Sequence, residues 1–296
     1  MTQDRIQTIG HSRIKYGPLS DRVYLMRLGD GQAPLVIDAM QSLARAEGYT
    51  KLIAKIPDKS AAAFTDAGFE MEARIPDFYA DGDAALFMSR FRSEDRRGPS
   101  DAERIRKVLE AALRRADAGI KRPLPDDCEL TLMNPDHALP MANLYGRVFE
   151  SYPFPIFDPA YIRRTMEENF RYFGIFRNAS LIALASAERS ESGVEMTDFA
   201  TASAYRRASL AAHLLAAMEA DARQNGVKTA FTIARAVSYG INIMFARCGY
   251  TFAGTLVNNT NISGRVQSMN IWYKPLASSN GTVSDNPSGN SSRHSP

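Results

Sequence analysis

The chain has 296 residues, 45% of them hydrophobic, which suits one large domain or two small ones with a real core. Thirty-six Lys and Arg against 33 Asp and Glu leave a net charge of only +3, with signs alternating along most of the chain, so the basic stripe of a nucleic-acid binder is absent. Cys128 and Cys248 lie outside any CxxC or Cys/His cluster, so no metal is expected, and no apolar run approaches the ~20 residues of a membrane span. With no signal-like apolar stretch after Met1, the chain reads as cytosolic.

In chain order, the first patterned stretch is Leu35–Phe69. It holds Ala39-Met40, Ala44-Arg45 and Gly48, then a strand-like KLIAKI, then Phe64 and Gly68-Phe69. The stretch RSEDRRGPS reads as a linker into a helix over Asp101–Gly119. Ile105, Val108, Leu109, Ala112, Leu113 and Ala116 line one face of that helix, and Ser100 with Glu103 suggests a capping box. Beyond it the pattern predicts a strand at Cys128–Met133 and helices at Asp136–Phe149 and Pro159–Asn169, the latter with Asp158 as N-cap. A hairpin of Phe170–Arg177 and Leu181–Arg189 and a strand at Glu195–Thr201 follow. A long helix over Arg206–Asn225 ends at Gly226. Strand Thr229–Ala234, helix Ser238–Arg247 and strands near Thr251–Val257 and Ser268–Lys274 complete the set. The Ser/Asn/Gly/Pro-rich tail from Ala277 is too poor in apolar residues to order itself.

The early stretch repeats late in the chain. Ala217-Met218, Ala222-Arg223, Gly226, TAFTIA, Phe245 and Gly249-Tyr250 follow the same order, offset by 178 positions (Met40 to Met218) and then by 181 (Gly68 to Gly249). Each copy reads helix, strand, short helix, Gly-aromatic, strand. The expected organisation is a smaller N-terminal partial copy over residues 1–95, a linker helix over 96–122, a catalytic domain over 123–276 and a disordered tail over 277–296.

The chemistry concentrates in Glu195–Ala211. A strand runs through a short turn into a helix whose first residues are small or basic. A helix N-terminus carries unpaired N–H groups and about half a positive charge, so it receives a phosphate readily. Arg206 and Arg207 add charge-assisted bonds to phosphate oxygens.

At Arg206-Arg207-Ala208-Ser209-Leu210-Ala211 the chain resembles the GNAT acetyltransferase superfamily, whose phosphate motif is Arg/Gln-x-x-Gly-x-Gly/Ala; Ser209 stands in place of the central glycine. Glu195–Thr201 leading into Tyr205-Arg206, and Arg247-Cys248-Gly249-Tyr250, match two further family features in order. The resemblance implies an α/β fold of α+β type, a mixed and mostly antiparallel sheet flanked by helices. It implies acetyl-CoA as cosubstrate and no metal. It places pantetheine beside Phe199, Ala200 and Thr201, in a gap opened by a strand bulge, and adds Ser238 to the cofactor residues. Glu195 takes the general-base position, with Asp198 as its backup. On a regular strand Glu195, Thr197 and Phe199 share one face and Asp198 points away. The family's tyrosine acid is Phe245 here, so Tyr239 on the same helix, or solvent, is the expected proton donor.

Tyr152–Pro159, Gly254–Ile262 and Ser268–Lys274 are similar to the β-lysine N-acetyltransferase family, a likeness spanning about Arg5 to Leu276. It implies a small-molecule amine substrate, N6-acetyl-β-lysine as a compatible solute for osmoadaptation, and a functional link to lysine 2,3-aminomutase. Asp158 is a candidate for an ammonium group, and Asn258, Asn259 and Asn261 for amide contacts, unless the asparagines simply form a polar turn. The Phe/Pro loop reads as a lid. A homodimer is possible through the N-terminal copy, which lacks the arginine pair. Another small amine, or a CoA-binding module without catalysis, are the competing readings.

Overall fold

The computed structural model describes residues 4–120, 122–190 and 192–276, so the expected tail lies outside the described residues. The chain opens with β1 (Arg5–Ile9), β2 (Ser12–Gly17) and β3 (Arg22–Arg27), then α1 (Ala33–Glu47), β4 (Lys51–Pro57), α2 (Ala61–Asp66), β5 (Glu70–Ile75) and β6 (Ala85–Phe91). The helices α3 (Glu94–Arg97) and α4 (Ala102–Leu113) lead into β7 (Cys128–Leu132), α5 (Ala138–Val148) and α6 (Pro159–Glu168). Next come β8 (Phe170–Arg177), β9 (Ser180–Arg189), β10 (Val194–Thr201), α7 (Leu210–Gln224), β11 (Thr229–Arg235), α8 (Tyr239–Arg247), β12 (Thr251–Ile262) and β13 (Arg265–Pro275).

The strands form one sheet in the order β1-β2-β3-β4-β6-β5-β12-β13-β11-β10-β9-β8-β7. Its pairs are antiparallel except β3–β4 and β10–β11. Read outward from the β5–β12 boundary, the order is the same on both sides: β5-β6-β4-β3-β2 against β12-β13-β11-β10-β9. The repeat therefore has a structural counterpart, and its punctuation is conserved in geometry. Gly48 and Gly226 follow their helices with φ of 76° and 72°, and Gly68 and Gly249 both have φ of 81°. These left-handed positions suit glycine, which has no Cβ to clash. After each second glycine an aromatic ring packs edge-on to its helix: Phe69 on Phe64 at 5.2 Å and Tyr250 on Phe245 at 4.9 Å.

One face of the sheet is covered by helices. The buried sides of α1 and α2 pack on β2–β4 and β6, and those of α7 and α8 on β8–β11. The other face carries α5 and α6 only over β8–β10 and an aromatic–aliphatic layer at the centre, leaving an open cleft between. The helix α4 lies along α8, with the chain beyond it tied down by Asp117 N–H to Ala246 O and Gly119 N–H to Arg247 O. Its start differs from the expected capping box. Asp101 is the N-cap and no side chain bonds there, so Ser100 is not the cap.

The two copies meet where Gly254 pairs with Ala73. A Cβ on Gly254 would stand 2.1 Å from Glu72 O and 2.7 Å from Ala73 Cα, and its φ is 145°. Beside it, Glu72 accepts from the Val257 N–H at 2.7 Å and pairs with buried Lys51 at 2.7 Å, and Lys51 in turn donates to Val257 O at 2.6 Å. Steric collision with fixed backbone costs far more than an open helix site gains. We expect Gly254→Ala to destabilise by roughly 3 kcal/mol or more. Gly146→Ala, exposed on α5 with nothing near its Cβ, should stabilise by roughly 0.5–1 kcal/mol. Urea denaturation midpoints check both.

Candidate active site

The open face holds a cleft of about 1130 Å³, walled by β2, β3 and β4 on one side and by β9, β10 and the 149–158 loop on the other. Glu195 on β10 stands directly across from Glu188 on β9. Two facing carboxylates repel unless a proton or cation intervenes. Lys55 from β4 supplies part of that charge while lying 5.4 Å over the Phe231 ring and 5.7 Å over Phe78. Burial, then the Glu188 charge, pushes the Glu195 carboxyl up to about 8 against the pull of Lys55. Burial also raises Glu188 and lowers Lys55, whose ammonium both carboxylates support. Two carboxylates against one resident cation leave room for one more positive charge.

The β10 strand does not alternate as a regular strand would. Its register with β9 shifts between Thr197 and Ala200, and Asp198 has φ of 55°. That bulge turns Thr197 and Asp198 to the same side, so Glu195, Thr197 and Asp198 all line the cleft. Phe199 instead packs edge-on against Phe245 in the opposite core, 5.6 Å between centroids. The expectation that Asp198 points away and Phe199 shares the face of Glu195 is thus reversed. Asp198 accepts from the Tyr152 hydroxyl, from Ser186 Oγ at 2.5 Å and from Thr197 Oγ1 at 3.3 Å. Burial raises its pKa and these donors oppose the rise. With its oxygens engaged, Asp198 anchors the Tyr152 loop rather than standing open as a base. The same loop reaches the far wall, where Lys15 Nζ donates to Pro153 O at 3.2 Å and sits 3.5 Å over the Phe154 ring.

The second feature lies between β10 and β11. Their ladder consists of Val194–Ala230 and Glu195–Phe231, after which the strands part although both continue. Because β10 and β11 are parallel, the segments following both strands leave from the same end of the sheet. After β10, Arg207 and Ser209 have φ of 72° and 60°, and α7 begins only at Leu210. The expected helix start at Arg206 is therefore four residues early. Among the described residues, no hydrogen bond is donated by the backbone N–H groups of 207–211, and the exposed Arg206 and Arg207 have no partner. This run of free donors with two arginines fits a pyrophosphate. Phe199, Ala200 and Thr201 lie on the part of β10 released from β11, with Ala208 in the turn and Ala211 in the first turn of α7. Ser238 is the N-cap of α8, at the same end of the sheet.

Tyr239 follows Ser238, is 43% exposed and does not line the cleft, so the structure does not bring it to Glu195. Phe245 is fully buried. Asp158 also stays away from the cleft. It caps α6 by accepting from Ala160 N–H at 2.8 Å. The asparagines form no turn, because they lie within β12. Asn258, at φ 44°, donates to Arg96 O at 2.9 Å and Gly98 O at 3.1 Å, and Asn261 donates its N–H to Ser20 Oγ at 3.2 Å; neither lines the cleft. Asn259 does line it. Sequence reasoning missed Glu188, Lys55, Lys15, Arg22 and Tyr24. Part of the signal was present. Val23 pairs with Leu52 as Val194 pairs with Ala230, and Leu52 and Ala230 are 178 positions apart, so Tyr24 stands where the repeat puts Glu195.

Residues 139–250 match the Acetyltransferase (GNAT) family, and the chain belongs to it. Across 273 residues it is 36% identical to the beta-lysine N(6)-acetyltransferase of Methanococcus maripaludis, covering 92% of this chain and 98% of that protein. It is 31% identical over 249 residues to the N-acetyltransferase YodP of Bacillus subtilis, covering 83% of this chain and 90% of that one. The beta-lysine N(6)-acetyltransferase of Methanosarcina mazei is 28% identical over 269 residues, covering 83% and 98%. The family uses acetyl-CoA, and the gap beside β10 fits it. Replacing Arg206 or Arg207 by Ala should weaken acetyl-CoA binding by roughly tenfold, the worth of a charged hydrogen bond, and flatten its salt dependence. Calorimetric titration at two salt concentrations checks this.

Proposed function

We propose that this enzyme transfers the acetyl group of acetyl-CoA to the side-chain amine of β-lysine, giving N6-acetyl-β-lysine. The observation that carries the chemistry is the facing Glu188–Glu195 pair in a cleft floored by the strand that also borders the cofactor gap. The substrate is supported by the full-length similarity to proteins named for it. On this reading the product is a compatible solute, formed in the cytosol after a lysine 2,3-aminomutase reaction.

Acetyl-CoA supplies the thioester, its pyrophosphate held by the N–H groups of 207–211 with Arg206 and Arg207. The gap would carry the pantetheine along Phe199–Thr201, where backbone N–H groups of β10 that point away from β9 would face the developing oxyanion. The amine arrives as an ammonium and completes the charge balance among Glu188, Glu195 and Lys55. Free lysine-type ammonium has a pKa of about 10.4, so a base is needed near neutral pH. Glu195, with its raised carboxyl, takes the proton, because a base with a pKa near the working pH transfers protons most effectively. Lys55 holds part of the pair's charge so that one carboxylate can ionise. Asp198 keeps Tyr152 and its loop over the cleft. The leaving thiolate needs no tyrosine acid, since a free thiol has a pKa of about 8.5 and water suffices.

The direct test is CoA release with β-lysine, with the product's mass and acetyl position read by mass spectrometry and NMR. One acetyl group on N6 is expected; acetylation of a different amine, with β-lysine inert, removes the substrate assignment. Glu195 must be ionised to act, so kcat/KM should climb with pH and level off above a limb near 8. Glu195→Gln should cost about a hundredfold and erase that limb. An unchanged profile removes the base role.

A further inference from the structure

We propose that Arg22 and Lys15, from the strands preceding α1, seat the carboxylate of the acceptor, and that the side-chain oxygen of Asn259 receives the ammonium group beside that carboxylate. The proposal rests on the reading of this cleft as the amine site. Buried charges in folded proteins are ordinarily paired. Other buried cations here obey that rule: Lys51 pairs with Glu72 at 2.7 Å and Arg96 with Asp21 at 2.8 Å. Arg22 is 6% exposed and Lys15 4%, both line the cleft, and among the described residues neither forms an ion pair.

Their contacts are neutral. Arg22 uses Nη1 alone, donating to Asn259 O at 2.8 Å and Thr260 Oγ1 at 3.0 Å, and its ring neighbour is Tyr24 at 5.2 Å. Its Nε and Nη2 have no partner among the described residues. Lys15 has a carbonyl, Pro153 O, and the face of Phe154. Asp4 and Glu188 act on Lys15 through their charge, and Asp4 on Arg22 too, without an ion pair to either; burial, then Arg22, lowers the Lys15 ammonium to about 7. Two adjoining buried cations without a carboxylate bonded to either form an anion seat, and the free Nε–Nη2 edge of the guanidinium matches a carboxylate's two oxygens.

Asn259 supplies an independent observation. It is 2% exposed, lines the cleft, and its Oδ1 is buried with no hydrogen-bond partner. A lone buried acceptor beside two donors reads an N–H group next to a carboxylate. The opposite wall carries Glu188 and Glu195. Lys15, Arg22 and Asn259 thus face Glu188 and Glu195 across the cleft, from β2, β3 and β12 on one wall to β9 and β10 on the other. That arrangement selects an amino acid bearing a remote second amine over a plain diamine.

The test uses amine pairs that differ only by the carboxylate: β-lysine with 1,4-diaminopentane, lysine with cadaverine, and ornithine with putrescine. Both kcat/KM and calorimetric binding in the presence of CoA are measured for the wild type and for Arg22→Met, Lys15→Met and Arg22→Lys. The carboxylate-bearing member should be preferred by roughly thirtyfold or more, the usual effect of a buried charge pair. Arg22→Met should shrink that preference at least about tenfold, mainly through KM, and Arg22→Lys should restore part of it. Because the readout is a ratio, a smaller folded fraction does not alter it. Asn259→Ala should likewise shrink the preference for β-lysine over 6-aminohexanoate. A wild-type ratio near one, a ratio unchanged by Arg22→Met, or no binding by any of the six amines would overturn the proposal. A strong, Arg22-dependent preference within another pair would uphold it while removing β-lysine as the substrate.

Discussion

Everything in this molecule depends on how the two copies of the repeat are joined at β12. Between Leu256 and Thr260 that strand slips its register with β13, which frees a run of carbonyl groups inside the protein. Three consecutive carbonyls are each met by a cation from the first copy or the segment just after it: Val257 O by Lys51, Asn258 O by Arg96 at 2.8 Å and Asn259 O by Arg22 at 2.8 Å. Unsatisfied buried carbonyls are costly, so these donors lock the bulge, and the bulge locks the two halves. Glu72 and Asp21 balance the first two cations, while the third remains available to the cleft.

The seam sets the shape of the cleft. Its mirrored strand order brings β3 and β10 to equivalent distances from the centre, one on each side of the aromatic–aliphatic layer. In the first copy β3 and β4 stay paired over Arg22–Leu25 and Lys51–Ala54. The pairing there is twice as long as in β10–β11, and the loop before α1 is closed by Gln32, whose Oε1 accepts from His11 N–H and Ser12 Oγ. In the second copy β10 and β11 part after two pairs, and the corresponding loop keeps its donors free. One repeated pattern thus gives a short β10–β11 ladder, the proposed cofactor gap, on one side and a charged wall on the other. The bulge at Thr197–Asp198 finishes the division by sending Phe199 into the helical core and Asp198 to the loop that roofs the cleft.

Much of the order of elements was legible because it rests on local signals. The glycines at 48, 68, 226 and 249 and the apolar spacing of α1 and α7 carry their geometry in the chain itself. The α6 start was legible for the same reason: Asp158 caps it, and that capping is also why Asp158 had no share in the cleft. What was not legible depends on long-range placement. The alternation rule failed at Asp198 because a bulge is a property of two strands. Asn258 and Asn261 suggest substrate amides or a polar turn in sequence, whereas their partners are Arg96, Gly98 and Ser20, far away in the chain. Lys15 and Arg22 carry no motif at all; only the missing counter-ions in the folded chain single them out. Phe245 holds the tyrosine's position and is buried, and Tyr239, its substitute on the same helix, does not line the cleft that holds the carboxylates.

We propose that the acceptor lies on the open face of the sheet and the cofactor in the gap between β10 and β11, with both copies of the repeat building the acceptor side. A crystal structure with CoA and β-lysine bound tests it most directly. The account predicts the pantetheine between β10 and β11, the N6 amine beside Glu195, and the substrate's other end between β2, β3 and β12. An amine bound on the helical face, or one touching no residue before α1, would contradict it.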